Sequence, residues 1–314
     1  MVKRIVLASP RGYCAGVERA VETVEEALEI WGSPLYVRKQ IVHNAHVVRE
    51  LEERGVVFVD SEDEVPEGAT VVFSAHGVAP SVVENARARG LVAVDATCPL
   101  VSKVHAEARQ FAAAGYTIFL IGHPGHDEVE GTLGEAPDAI VVLESVDAAA
   151  CVRPPQTERL AYLTQTTLSV DETAEIVSVL RRRFPGIRAP HTEDICYATT
   201  NRQRAVKAIL PEIDLLLVVG SKNSSNSNRL VEVSQAGGVA ARLIDDESEI
   251  EERWLEGVES VGITSGASAP EWLVQRVLDW FRARGVVEIK KQAAPPENVA
   301  FRLPAELRRL PLAL

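Results

Sequence analysis

Cysteine, methionine and aromatic residues are scarce in this chain. Its 314 residues include four cysteines and one methionine, and aromatic side chains make up 5%. No apolar run reaches the roughly 18–20 residues that a membrane span requires, and the opening stretch MVKRIVLASP lacks the pattern of a signal peptide. We therefore expect a cytoplasmic protein without a membrane partner, in a reducing compartment where disulfides do not persist.

Basic residues are also too few for a nucleic-acid partner. The formal net charge is −12, whereas binding to a phosphate backbone calls for a basic surface. A small anionic ligand is still compatible with this charge, because backbone N–H groups and histidines bind phosphate locally. The chain has no G-x-x-x-x-G-K-[ST] loop and no convincing G-x-G-x-x-G. Nucleoside triphosphate hydrolysis and a bound dinucleotide are therefore not expected.

Three of the four cysteines occupy the same kind of position. Cys14, Cys98 and Cys196 each lie where a predicted strand ends and a predicted helix begins. Cys151 lies in the connection AAACVRPP, outside that pattern, and we expect it to be a bystander. Sparse cysteines on the turns of a cytosolic protein indicate metal binding or catalysis.

The order of strands, helices and polar loops around each cysteine repeats along the chain. Each cysteine is followed by a first polar loop after 28 or 29 positions and by a second after 62 to 72 positions. The first loops contain His43, His126 and Ser224, and the second loops contain His76, Thr166 and Ser268. Identity between the units is low, so order and spacing alone indicate a threefold repeat.

Alternating strands and helices of this kind predict an α/β fold with parallel sheets covered by helices. Ligands of such sheets bind beyond the carboxyl ends of the strands, where the cysteines and polar loops of this chain lie. We expect three pseudo-symmetric α/β lobes with mostly parallel sheets around a central cavity. The lobes would comprise residues 1–97, 98–194 and 195–289, followed by a C-terminal extension, 290–314.

Three converging thiolates suit two kinds of metal centre. One is zinc, in a Cys₃His or an open site. The other is a [4Fe–4S] cluster in which one iron lacks a protein ligand. The positive end of the helix after each cysteine favours the thiolate in both cases. Spacing alone does not distinguish the two metals.

Several histidines and two polar loops have the character of an anion site. His43, His76 and His126 each follow a strand, and we expect them to bind an anion through charge-assisted hydrogen bonds. The loops SKNSSNSN and GASAP offer hydroxyls, amides and helical N–H groups, although SKNSSNSN also fits a flexible linker. The other histidines considered are expected to be structural, as for His105 and His191, or stay unassigned, as for His123.

Nine strings of the sequence together resemble one enzyme family. In chain order, up to about residue 289, they are RGYCAGVERA, HNAHVV, SAHGV, DATCPLV, GHPGHDEVEGT, TQTTLSVDET, ICYATTNRQ, GSKNSSNSNRL and SGASAPEWL. These strings are similar to those of the 4-hydroxy-3-methylbut-2-enyl diphosphate reductases, which act in the last step of the non-mevalonate isoprenoid pathway. The resemblance implies a three-lobed α/β fold around a [4Fe–4S] cluster held by Cys14, Cys98 and Cys196.

The same resemblance implies roles for the other candidate residues. The residues that would hold the substrate diphosphate are His43, His76, His126, Ser224, Ser225, Asn226 and Ser268. Thr166 would lie near the substrate hydroxyl, and Glu128 would deliver a proton. Asp127 and Glu130 serve as controls, because one helical loop cannot point all three carboxylates inward. The strings do not cover the extension 290–314, so its role is open.

The implied reaction is the reductive removal of an allylic hydroxyl from (E)-4-hydroxy-3-methylbut-2-enyl diphosphate. We expect the open iron to bind the substrate oxygen as a Lewis acid and Glu128 to protonate it, so that it leaves as water. Two electrons would arrive through the cluster from an external donor protein of the ferredoxin or flavodoxin type. The products would be isopentenyl and dimethylallyl diphosphates.

Two other functions remain compatible with the sequence. One is a three-cysteine [4Fe–4S] enzyme of the quinolinate synthase type, which performs dehydration or condensation and needs no external reductant. The other is a non-enzymatic scaffold or redox sensor stabilised by a metal such as zinc, in which the anion loops would have no ligand.

Overall fold

The computed structural model describes residues 2–295 and 297–308. The described strands form three sheets in which every strand pairing is parallel, and this confirms the predicted α/β fold. The chain divides into two compact units. Among the described residues, unit 1 comprises 2–15, 43–47 and 197–300, and unit 2 comprises 16–42, 48–196 and 301–308.

α-Helices connect most of the strands in the described part of the chain. They are α1 (Ala15–Trp31), α2 (Ala45–Glu53), α3 (Pro80–Ala88), α4 (Pro99–Ala113), α5 (Asp127–Glu135), α6 (Val146–Cys151), α7 (Val170–Arg183), α8 (Tyr197–Ile209), α9 (Ser225–Ala236), α10 (Glu271–Arg282) and α11 (Ala305–Arg308). Among the residues described, no helix has the length and apolar character needed to cross a membrane.

Unit 1 is built on a five-stranded sheet, sheet A, with the strand order β10-β9-β11-β1-β12. Its strands are β1 (Arg4–Leu7), β9 (Leu215–Val219), β10 (Ala240–Ile244), β11 (Ser260–Ser265) and β12 (Glu288–Lys291). Successive residues of β9 point to opposite faces of the sheet. Leu217 packs in the core on the side of α10, and Leu216 packs in the core beneath α8 and α9. Both faces are thus covered, which explains the continuous apolar run LLLVV.

Unit 2 contains a four-stranded sheet, sheet B, and a three-stranded sheet, sheet C, with the orders β3-β2-β4-β5 and β7-β6-β8. Their strands are β2 (Leu35–Arg38), β3 (Val56–Val59), β4 (Thr70–Phe73), β5 (Val92–Asp95), β6 (Thr117–Ile121), β7 (Ile140–Leu143) and β8 (Leu160–Thr164). In β6, Phe119 packs in the core with α7, and Leu120 packs in the core with α4. Burying each such side chain contributes about 1.5–3 kcal/mol.

The structure differs from the sequence prediction in a few elements. The apolar run LYVRKQIV predicts one strand of eight residues, but β2 ends at Arg38, because Lys39 enters the left-handed region with a φ of 57°. The connection that contains Cys151 is partly helical: Ser145 caps α6 through a hydroxyl that accepts the N–H of Ala148. The sequence of the extension 290–314 predicts an extended arm with one short helix, and the structure contains the short helix α11 there.

The first strand lies in sheet A. The pairing partners of β1 are β11 and β12, about 250 residues or more further along the chain. The sequence assigns β1 to the lobe 1–97, whose other strands form sheet B. The lobe boundaries 1–97, 98–194, 195–289 and 290–314 stay a prediction from the sequence.

Candidate active site

Each of the three predicted ligand cysteines immediately precedes a helix. Cys14 precedes α1, Cys98 is the N-cap residue of α4, and Cys196 precedes α8. All four cysteines of the chain are thiols, and these three are half-buried. Cys151 is exposed and ends α6, so it lacks the helix N-terminus that the others share. The positive end of a helix stabilises a thiolate and thus a metal ligand.

Glu128 and Thr166 form the most buried polar pair of the candidate site in unit 2. Glu128 is the second residue of α5 and is 3% exposed. Its Oε1 accepts the Thr166 N–H at 2.6 Å, and its Oε2 lies 3.1 Å from the Thr166 hydroxyl. The carbonyl of Thr166 in turn accepts the N–H of Cys196 at 3.0 Å. The structure therefore brings the predicted acid, the predicted hydroxyl-binding residue and one cysteine into a single hydrogen-bonded chain.

Burial raises the pKa of Glu128 from its usual 4.5 to about 7, although the two hydrogen bonds from Thr166 lower it and the charge of Asp194 adds a smaller rise. The carboxyl group therefore holds a proton close to neutral pH. That proton belongs on Oε2, because the backbone N–H at Oε1 can only donate, whereas the hydroxyl at Oε2 can reverse and accept.

Asp194 is a second buried acid of unit 2, two positions before Cys196. Its Oδ2 accepts the N–H of Thr164 at 2.8 Å, and its Oδ1 binds the ammonium of Lys103 at 2.6 Å. Burial raises the pKa of Asp194 to about 6, and Lys103 opposes the rise. The sequence reasoning missed this residue, since IRAPHTED gives no local sign that one of its two acids is buried.

His76 and His126 lie together in unit 2. Their rings meet edge to face with centroids 5.8 Å apart. Nδ1 of His126 accepts the N–H of Glu128 at 3.2 Å, so the neutral ring carries its proton on Nε2. Nδ1 of His76 lies 3.3 Å from the Ser74 hydroxyl, which can donate to it in the same way. Both rings can thus present an Nε2–H donor to an anion.

His43 belongs to unit 1, although it follows a strand of unit 2 in the chain. Its carbonyl accepts the hydroxyl of Ser268 at 2.9 Å, and its Nδ1 lies 3.3 Å from Nδ2 of Asn223. Two positions further on, Ala45 donates its N–H to the hydroxyl of Ser221. The loops SKNSSNSN and GASAP therefore both contact the segment 43–47, as the predicted anion site requires.

The loop SKNSSNSN is ordered by its own hydrogen bonds, so it is not a linker. Ser224 is the N-cap of α9, and its hydroxyl accepts the N–H of Ser227 at 3.3 Å. Ser225 is the first residue of the same helix. Asn226 is 4% exposed; its Oδ1 accepts the N–H of Ala267 at 2.9 Å, and its Nδ2 lies 3.3 Å from the hydroxyl of Thr199. Hydroxyls, amides and a helix N-terminus converge here, and such a set binds anions.

The loop after His76 depends on a glycine. Gly77 has a φ of 81°, and a Cβ atom on it would lie 2.8 Å from Cε1 of His105. His105 is buried, and its Nδ1 lies 2.9 Å from Glu135. Burial lowers the pKa of His105, while Glu135 opposes the shift. His105 thus packs beneath the loop rather than in the site.

The remaining candidates lie at less buried positions. His191 stacks on Phe111 and contacts Glu107 through Nδ1 at 3.1 Å. The N–H of His123 donates to Gln165 at 3.1 Å. Asp127 is half-buried and Glu130 is exposed, so of the three acids at the start of α5 only Glu128 is buried.

The fold is a parallel α/β fold that carries cysteines at helix N-termini, a buried acid that holds a proton, and polar loops suited to an anion. These features define a class of α/β proteins that bind a ligand at the carboxyl ends of their strands and carry out chemistry there. The chain belongs to the LytB protein family, whose model matches residues 5–282. This confirms the resemblance that the nine strings indicate.

Curated relatives and solved structures match nearly the whole chain. The 4-hydroxy-3-methylbut-2-enyl diphosphate reductase of Acidothermus cellulolyticus is 60% identical over 308 residues, which cover 98% of this chain and 91% of the relative. The reductase of the same name from Nocardia farcinica is 60% identical over 307 residues, with the same coverage. The E-1-hydroxy-2-methyl-but-2-enyl-4-diphosphate reductase from Plasmodium falciparum superposes with a TM-score of 0.95 at 40% identity and 98% coverage of each chain.

Proposed function

We propose that the chain is a 4-hydroxy-3-methylbut-2-enyl diphosphate reductase. It would convert (E)-4-hydroxy-3-methylbut-2-enyl diphosphate to isopentenyl and dimethylallyl diphosphates. The reaction consumes two electrons and two protons: the allylic C–O bond breaks, a C–H bond forms, and the hydroxyl leaves as water. Membership of the LytB family and the names of the relatives support this proposal.

Cys14, Cys98 and Cys196 would hold a [4Fe–4S] cluster. The three residues fit such a cluster, because each is a half-buried thiol directly before a helix, and thiolates are the usual ligands of these clusters. When bound, the cluster supplies electrons and, at the iron without a protein ligand, Lewis acidity. The electrons would come from a separate ferredoxin- or flavodoxin-type protein, and the enzyme would work in the cytoplasm.

Glu128 would give the leaving hydroxyl its proton. Hydroxide is a poor leaving group, so cleavage of the C–O bond needs a proton on that oxygen. Glu128 holds its proton on Oε2 beside the hydroxyl of Thr166, at a pKa of about 7. Thr166 would bind the substrate hydroxyl and keep the carboxyl group in place through its N–H. This buried pair is the observation that carries the proposal.

The diphosphate would be bound by neutral donors and histidines. His76 and His126 can offer Nε2–H donors, and His43 can do so because its Nδ1 faces the Asn223 amide. The loop set consists of Ser224, Ser225, Asn226 and Ser268. Donors of this kind bind a diphosphate despite the negative net charge of the chain, because they act at short range.

Anaerobic purification followed by iron and sulfide analysis tests the proposal directly. We expect both elements, a brown colour with absorption at about 400 nm, and turnover that needs an added reductant. Replacing Cys14, Cys98 or Cys196 by Ser should lower the iron and sulfide content and abolish turnover, whereas Cys151→Ser should do neither. Turnover without a reductant would favour an enzyme of the quinolinate synthase type, and zinc in place of iron would favour a scaffold.

A further inference from the structure

The segment after residue 290 contacts two buried arginines. In unit 1, the carboxylate of Glu297 lies 3.2 Å from Nη1 of Arg202 and accepts Nδ2 of Asn201 at 2.8 Å. In unit 2, the carbonyl of Arg302 accepts Nε of Arg19 at 2.8 Å. The relatives cover 98% of the chain, so the similarity extends into this segment, to which the strings of the sequence assign no role.

Arg202 holds the turn before Cys14. Its side chain is completely buried on α8, and its Nη2 donates to the carbonyl of Gly12 at 2.7 Å and approaches that of Tyr13 at 3.3 Å. A buried guanidinium needs a counter-charge, because its desolvation costs several kcal/mol. Glu297 supplies that charge, with a side chain that is 15% exposed.

Arg19 holds the turn before Cys98. It is 8% exposed on α1, and its Nη1 donates to the carbonyl of Thr97 at 3.0 Å. Its Nη2 lies 3.3 Å from the carbonyl of Asp95. The third donor of the fork, Nε, binds the carbonyl of Arg302 in the C-terminal segment. The planar fork fixes three carbonyls at once.

Lys103 holds the turn before Cys196. Its ammonium donates to the carbonyl of Thr192 and to the carboxylate of Asp194, each at 2.6 Å. The counter-charge here comes from Asp194 in the turn itself and from Glu107 on α4, whose Oε2 lies 3.5 Å from the ammonium. The C-terminal segment thus contacts the two arginines, through the Glu297 carboxylate and the Arg302 carbonyl, whereas Lys103 pairs with Asp194 and Glu107.

The three cations follow one rule along the chain. Each lies five or six positions after one ligand cysteine, on the helix that this cysteine precedes, and each binds the turn of another cysteine. The pairs are Arg19 after Cys14 with the turn of Cys98, Lys103 after Cys98 with the turn of Cys196, and Arg202 after Cys196 with the turn of Cys14. The repeat that places the cysteines thus also places the cations that hold their turns.

We propose that Arg19, Lys103 and Arg202 are positioning residues that fix the turns of Cys98, Cys196 and Cys14, and that the C-terminal segment stabilises the two arginines. The inference rests on the proposed ligand role of the three cysteines. Its consequence is local: loss of one cation should loosen one cysteine and leave the other two as they are.

Alkylation of the full-length, metal-free chain by iodoacetamide, followed by peptide analysis, measures the reaction rate of each cysteine separately. Arg202→Met should raise the alkylation rate of Cys14 by about fivefold or more, through local opening of its turn. Arg19→Met should do so for Cys98, and Lys103→Met for Cys196. Cys151 is the internal reference, and circular dichroism of each variant checks the fold. Equal acceleration at all three ligand cysteines, or at none, would overturn the proposal.

A milder variant protects the test against misfolding. Glu297→Gln keeps the size of the side chain but removes the charge that faces Arg202, so Cys14 alone should react faster. Glu306→Gln, at an exposed acid of the same segment, should change no rate. If Glu297→Gln leaves Cys14 unchanged, the C-terminal segment does not act through Arg202. Because no turnover is measured, a protein without iron would refute the proposed function while the pattern of rates still decides this inference.

Discussion

The two units of the molecule carry polar sites of opposite character. In unit 1, the segment 43–47 and the loops SKNSSNSN and GASAP present hydroxyls, amides and an imidazole, and its buried Asn226 and Ser268 are neutral. In unit 2, the buried carboxyl groups include Glu128 and Asp194, and burial raises the pKa of both. Neutral donors suit the binding of an anion, whereas a buried carboxyl group suits the transfer of a proton.

This difference predicts that the two polar sites affect different kinetic constants. Variants in the unit 1 loops should act mainly on substrate binding, and therefore on KM. Variants of the Glu128–Thr166 pair should act on the chemical step, and therefore on kcat. An effect on KM alone at the Glu128–Thr166 pair, or on kcat alone in the unit 1 loops, would break the comparison.

The largest effect is expected at Glu128. Glu128→Gln keeps the shape and the hydrogen bonds to Thr166 but cannot donate the same proton, so kcat should fall by roughly 10²–10⁴-fold. KM and the cluster spectrum should stay close to those of the unmodified protein. Anaerobic assays with a chemical reductant measure both quantities.

Asp127→Asn is the matched control, because this neighbouring acid is only half-buried. Asp127→Asn should lower kcat far less than Glu128→Gln does. Near-normal turnover of Glu128→Gln would remove the proton-donor role, and loss of the cluster would make Glu128 a structural residue.

The pH dependence of turnover should report the same group. Because the pKa of Glu128 is about 7, the fraction of enzyme that carries the proton falls above that pH. We expect kcat to fall by about tenfold per pH unit in the alkaline range, provided that proton donation limits the rate. The residual activity of Glu128→Gln should lack this slope. A slope that persists in the variant would assign the titration to another group.

The sequence alone predicts much of this architecture, since its signals are local. A proline at the start of an apolar periodic run predicts the first residue of a helix, and Pro80 and Pro99 begin α3 and α4 in the structure. The spacing of apolar residues predicts α1 from Ala15 to Trp31, and the structure agrees. The cysteines and polar loops follow because they lie at the boundaries between these elements.

Other features depend on distant parts of the chain and have no local signal. The pairing of β1 with β11 joins residues that the sequence separates by about 256 positions, as at Arg4 and Ser260. The burial of Asp194 depends on Lys103, which lies on α4. Nor does the sequence around His43 show that it contacts Ser268, because that contact is between backbone and side chain.

The free energy of unfolding should also depend on pH because Glu128 is buried. Glu128 has a pKa of about 7 in the folded chain against a usual 4.5, so below about pH 4.5 it is protonated in both states and costs nothing. As the pH rises from there to about 7, the unfolded chain gives up its proton first, and the folded state loses about 2–3 kcal/mol in relative stability. Glu128→Gln has no carboxyl group at this position, so its free energy of unfolding should not show this decrease.

Urea unfolding of the metal-free protein at pH 5, 6 and 7 measures this effect. The variant should gain stability relative to the unmodified protein as the pH rises. Asp194, whose pKa is also raised, is present in both proteins, so its contribution cancels apart from its small effect on the charge of Glu128. Parallel pH curves for the two proteins would show that Glu128 is ionised in the folded chain.

The smallest effect is expected in the unit 1 loops. Asn226→Ala removes the acceptor for the N–H of Ala267 and the amide that faces Thr199, so the loop GASAP loses one fixed point. We expect KM to rise by about tenfold, the usual result of losing one buried hydrogen-bond partner. The chemical step and the cluster spectrum should change little, since the proposed proton donor Glu128 lies in unit 2. Isothermal titration with inorganic diphosphate gives the binding change without turnover.

Asn85→Ala is the matched amide control, because Asn85 donates to Glu62 and Asp63, and these three residues are not part of the candidate site. It should leave the affinity for inorganic diphosphate unchanged. If Asn226→Ala lowers kcat and leaves KM unchanged, the neutral loops take part in the chemical step and the division between the units fails. If it removes iron, a mixed ligand set replaces the three cysteines. A rise in KM alone supports anion binding by the loops of unit 1 and proton transfer by Glu128 of unit 2.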